Sequence, residues 1–101
     1  MIDQNSLQVW GDLVARSANK RSEITSYYQS LLFLFDNQAI SDYQFCYCLS
    51  RPLSNDVVLR DEKLIDIATE ASNYEVPDGN PAAVGDRPRH LEMLSNLINK
   101  L

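Results

Sequence analysis

The chain has one histidine, two cysteines and three glycines in 101 residues, and each scarcity removes a class of chemistry. With only His90 present, conventional catalytic triads and His-based metal sites lack parts. Placed beside Arg87 and Arg89 in the first turn of the last expected helix, His90 reads as a surface residue with no catalytic role. Cys46 and Cys48 have no second pair to complete a zinc site. Helical neighbours two apart point about 200° from each other, so the C-x-C spacing suits buried, reduced thiols rather than a disulfide. Gly79 and Gly85 stand alone, which leaves no glycine-rich phosphate loop. The longest apolar runs, LLFLF at 31–35 and FCYCL at 45–49, fall far short of the ~20 residues of a membrane span. The opening stretch MIDQNSLQVW has neither the basic nor the apolar part of a secretory signal. These features lead to the expectation of a soluble, cytoplasmic chain with no membrane partner.

Basic charge is the other shortage. Nine Lys and Arg face fourteen Asp and Glu, a net charge of −5. Phosphate contacts need clustered cations, whereas Lys20-Arg21 and Arg87-x-Arg89 read as solvated helix ends, so no direct nucleic-acid ligand is expected. The acid excess is localised. Residues 56–78 hold seven acids (Asp56, Asp61, Glu62, Asp66, Glu70, Glu75, Asp78) against Arg60 and Lys63, and the rest of the chain balances.

What remains is an ordinary globular composition, 45% hydrophobic and 23% charged, in a length that makes one domain, 1–101. Leu7, Trp10, Leu13 and Val14 predict a first helix over about 6–19. Ile24, Tyr28, Leu31 and Phe35 predict a second, N-capped by Ser22 and stopping near Asp36 and Asn37. Ser41 and Gln44 form an S-x-x-Q capping box with Ile40 as a staple before it, predicting a third helix over 42–50. Pro52 and Ser54-Asn55 break the pattern, and the chain restarts at Asn55 or Asp56. VVLR at 57–60 reads as the beginning of the next helix, because no other segment could pair with it as a strand. From Arg60 to Ser72, Leu64, Ile67, Ala68 and Ala71 gather on one side while Glu62, Asp66 and Glu70 lie on the other. The segment 73–88 holds all but one of the prolines and reads as a loop of about fifteen residues, a length often tied to function. Pro88 suits the first turn of a last helix striped by Leu91, Leu94, Leu97, Ile98 and Leu101. The fold class is all-α, a small four-helix bundle of four to five helices.

Glu62, Asp66 and Glu70 do not match a carboxylate metal site, since di-metal bundles turn Glu and Glu-x-x-His motifs into the core and these acids face out. No cofactor, metal or enzymatic activity is expected. Exposed helix faces are commonly charged for solubility alone. Here the acids lead into a loop in which Tyr74, Glu75 and Asp78 offer an aromatic anchor among carboxylates, a surface suited to a basic cleft. Tyr74 serves equally well as a ring capping the core.

The order LLFLFDNQAISDYQFCYCL, then DEKLIDIATEASNYE, then a loop, then HLEMLSNLINKL resembles the colicin D immunity protein family and its relatives in contact-dependent inhibition systems, over about residues 30–101. The chain departs from that pattern in its longer first helix and its Pro/Gly-rich loop. The resemblance implies an acidic helical bundle, a monomer that binds one cognate toxin ribonuclease domain, typically tRNA-cleaving, and blocks its active site. The charge pattern is compatible: a ribonuclease lines its cleft with cations, and carboxylates fixed on a helix can occupy the phosphate positions. Glu62, Asp66, Glu70, Tyr74, Glu75 and Asp78 are the expected contacts. The alternative is a small helical adaptor or regulatory subunit, self-associating through Tyr43, Phe45 and Tyr47.

Overall fold

The computed structural model describes residues 3–74 and 87–101, and every regular element among them is helical. In order these are α1 (Gln4–Ser17), α2 (Arg21–Asp36), α3 (Asp42–Ser50), a 3-10 turn (Arg51–Ser54), α4 (Asp56–Leu59), α5 (Glu62–Tyr74) and α6 (Arg87–Asn99). No helix among the described residues is long and apolar enough to cross a membrane.

The expected stripes meet in one core. Ile24, Tyr28 and Leu31 of α2, Leu64, Ile67, Ala68 and Ala71 of α5, and Leu94 and Ile98 of α6 are all fully buried. Helix α3 sits against α1, α2 and α5, which explains why FCYCL is apolar nearly all round: Phe45, Cys46, Cys48 and Leu49 are buried together, as a helix covered on several sides must be. Phe45 therefore does not belong to an exposed aromatic surface. Its ring stacks on Phe35 at 4.4 Å between centroids. Helix α1 lands two residues earlier than the spacing predicts, and Leu13 stays 53% exposed instead of joining the stripe.

The boundaries follow local chemistry. The capping box forms as expected, Gln44 N–H donating to Ser41 Oγ at 3.1 Å and Ser41 N–H to Gln44 Oε1 at 2.8 Å. Helix α2 ends in a Schellman arrangement: Ala39 N–H donates to the Leu34 carbonyl and Gln38 N–H to that of Phe35. The left-handed position is Gln38, at φ 60°, and not Asn37. Ser22 is not the cap of α2; Lys20 holds that position without a side-chain bond, and Ser22 lies one residue inside the helix. The Asn19 amide is met instead by Glu23 Oε2 at 3.2 Å.

The break near Pro52 becomes the 3-10 turn, and VVLR contributes to a separate short helix rather than to the start of α5. Asn55, buried, organises this joint. Its carbonyl oxygen accepts from Val57 N–H, and its amide donates to the Ala15 and Ala18 carbonyls at 2.9 and 3.0 Å, tying α4 to the end of α1. Asp61 then caps α5, accepting from the Lys63 and Leu64 amides.

Candidate protein-binding surface

The acidic face begins with the spacing of Glu62, Asp66 and Glu70, which the helical rise of α5 stretches over about 12 Å. Glu62 and Asp66 are exposed, and neither pairs with a base among the described residues. Like charges four apart on a helix each cost about 0.2–0.5 kcal/mol, a cost offset here by the first-turn position of Glu62, which suits the helix dipole, and by Lys63 three residues before Asp66. Glu70 is half-buried. Its carboxylate lies 3.9 Å from His90 Nδ1, while His90 Nε2 donates to the Glu70 main-chain carbonyl at 2.6 Å. His90 is thus not a plain surface residue: it clips the first turn of α6 onto the last turns of α5. Tyr74 is the final residue of α5, and Glu75 and Asp78 lie outside the described residues.

Two other surface acids, Asp61 and Asp12, are paired with arginines. Asp61 receives Arg21 Nε at 2.6 Å. Burial raises the Asp61 pKa, but the Arg21 bond and the Leu64 and Lys63 amides outweigh it and hold the carboxyl below its ordinary range. Asp12 accepts from Arg51, whose guanidinium also lies over the Tyr47 ring at 5.3 Å. Tyr47 stacks in turn on Tyr43 at 6.1 Å. This ladder of Tyr43, Tyr47 and Arg51 follows an i, i+4, i+8 spacing that was readable in the sequence. The pairing of Arg21 with Asp61, forty positions apart, had no local signal.

A cleft of about 660 Å³ lies between the end of α1 and α4, with Arg16, Arg21, Asn55, Arg60 and Asp61 among its lining. Its Asn55, Arg21 and Asp61 are already bonded within the chain, so it acts as a joint. Among the described residues no three His, Cys, Asp or Glu side chains gather to hold a metal ion.

The structure so far defines a class: an all-α bundle that displays exposed carboxylates, Glu62 and Asp66, on one face of α5. No protein-family model, curated protein or solved structure matches the chain.

Proposed function

We propose that the chain is an immunity protein that covers the cationic active site of a toxin ribonuclease domain, a tRNA-cleaving one in particular, with the carboxylates of α5. The carrying observation is the column itself: Glu62 and Asp66, four apart on α5, are exposed and take no lysine or arginine as an ion-pair partner among the described residues, whereas Asp12 and Asp61 are paired with arginines. An exposed column of one sign on one helix face is a match for an external cationic surface. The resemblance over residues 30–101 to the colicin D immunity family supports the same reading, and extends the contact to Tyr74, Glu75 and Asp78. In it the chain works in the cytoplasm, without cofactor or catalysis, one copy per toxin domain.

The test uses the toxin domain encoded in the adjoining upstream reading frame. Asp66→Lys relieves the repulsion with Glu62 and Glu70 but places a like charge three residues from Lys63, so it is expected to change stability by no more than about 0.5 kcal/mol while removing protection of cells expressing that domain. Unimpaired protection by the variant, or the absence of a toxin frame beside the gene, overturns the reading. The Tyr43–Tyr47–Arg51 ladder favours a second reading, a helical adaptor docking through exposed Tyr43, since Tyr and Arg are frequent interface anchors.

A further inference from the structure

The chain has six arginines, and three of them, Arg16, Arg21 and Arg60, line the cleft between the end of α1 and α4. They come from three elements: Arg16 lies in the last turn of α1, Arg21 opens α2, and Arg60 directly follows α4. In a chain with a net charge of −5, a lining of three arginines against two aspartates, Asp56 and Asp61, is a local reversal of sign.

The two acids do not cancel these cations equally. Asp61 is committed, one oxygen accepting from Arg21 Nε and the other from the Lys63 and Leu64 amides. Arg16 gives its Nε to a neutral partner, the Asp12 main-chain carbonyl, at 3.3 Å. Neither Arg16 nor Arg60 takes a carboxylate partner among the described residues, and both are exposed. The ends of α1 and α4 account for a cation at each position, but they leave the terminal guanidinium nitrogens without an acceptor. Asp56, exposed in the first turn of α4, is the one acid of the lining with no basic partner among the described residues.

The donors select the ligand. A guanidinium presents its N–H groups in a planar fork that matches the oxygens of a phosphate group. Exposed Asn19 and Ser54 in the same lining add neutral donors. The volume of about 660 Å³ lies within the ~300–1,000 Å³ of small-molecule sites. That is more than a phosphate group fills, and Ala15 and Val57 give the remainder an apolar wall.

We propose that this cleft binds a phosphate group, free or as the end of a small phosphomonoester, between the guanidinium groups of Arg16 and Arg60 and the terminal nitrogens of Arg21. The Asn55 joint and the Arg21 to Asp61 bond stay intact beneath it. Exposed arginines make a weak site, with Kd on the order of 0.1–10 mM, and Asp56 weakens it further. The proposal is independent of the nuclease reading, which concerns α5.

Titration of the isotope-labelled full chain with inorganic phosphate, ribose 5-phosphate and acetate, at constant ionic strength and up to ~30 mM, tests it. The amide resonances of Asn19, Arg21, Val57 and Arg60 are expected to move saturably with both phosphates and not with acetate. The tighter of the two phosphates distinguishes a free ion from a monoester. Arg16→Gln and Arg60→Gln, both at exposed positions, are each expected to weaken binding at least about three-fold with helical content unchanged, and Asp56→Asn to tighten it about two-fold. Should Arg16→Gln disturb the end of α1, Arg60→Gln decides. The absence of a saturable change at these amides, an equal response to acetate, binding untouched by Arg60→Gln, or binding weakened by Asp56→Asn overturns the proposal.

Discussion

Two adjacent tyrosines show how far apart the fates of like residues can be. Tyr27 and Tyr28 are both buried, and burial pushes both hydroxyls well above the ordinary tyrosine range. Tyr27 Oη donates to the Cys48 carbonyl at 2.6 Å and its ring meets Trp10 edge-on at 4.8 Å. Its hydroxyl also stands 3.0 Å from where a Cβ on Gly11 would sit, so α1 approaches closely only because that residue is glycine. Tyr28 Oη has no hydrogen-bond partner among the described residues. Losing a made buried hydrogen bond costs about 1–2 kcal/mol, while removing an unmade one is neutral to favourable. Tyr27→Phe is therefore expected to lower unfolding free energy by about 1–2 kcal/mol and Tyr28→Phe to leave it unchanged or raise it by up to about 1 kcal/mol, read by urea titration. Nothing in the pair YY distinguishes the two, because the difference lies in a carbonyl twenty-one positions away.

At the scale of elements, ends matter more than middles. Gln38 bears the left-handed conformation that closes α2, a conformation strained for any residue with a Cβ. Gln38→Gly is expected to stabilise the fold by about 0.5–1 kcal/mol, measured by thermal or urea unfolding. Asp61 performs two tasks, capping α5 and pairing with Arg21 of α2. Because its folded pKa is depressed, its contribution is fully present above the unfolded carboxyl range, near ~4, and is lost as pH falls through the folded value. Asp61→Ala is expected to cost about 1–2 kcal/mol at neutral pH, with the gap to wild type closing in acid. Equal gaps at pH 7 and in strong acid would contradict this assignment. The stripes of α2, α5 and α6 and the Ser41–Gln44 box were legible because each is a pattern within one helix. The division of α4 from α5 was obscured because Asp61 stands in a run of charges, where a capping aspartate looks like one more solvated acid. Leu13 misled through its neighbours Trp10 and Val14. The exposure of Phe33 was legible in principle: it lies two residues from Leu31, and so about 200° around the helix from the core.

At the scale of the molecule, two exposed features lie on different helices. The column of Glu62 and Asp66 lies on α5, while exposed Phe33 lies on α2, and both helices pack against α3 and α6. Of the expected contacts, Glu62 and Asp66 are displayed as the helical period requires, and Glu70 is partly turned to His90. That turn was hidden from the sequence because it depends on where α6 returns. An anionic face acting on a cationic cleft speeds encounter more than it slows release, taking association from a neutral ~10^5–10^6 per molar per second towards ~10^8 at low salt.

The association rate between this chain and the toxin domain that the proposed function requires, followed by stopped flow as ionic strength rises, bears most directly on the proposal that α5 stands in for RNA phosphates. The account predicts a fast wild-type rate that falls at least ten-fold between low and high salt, and a slower rate for Glu62→Gln/Asp66→Gln with a clearly shallower salt dependence. A wild-type rate indifferent to salt, or a neutralised variant that associates as fast as wild type at low salt, would contradict it.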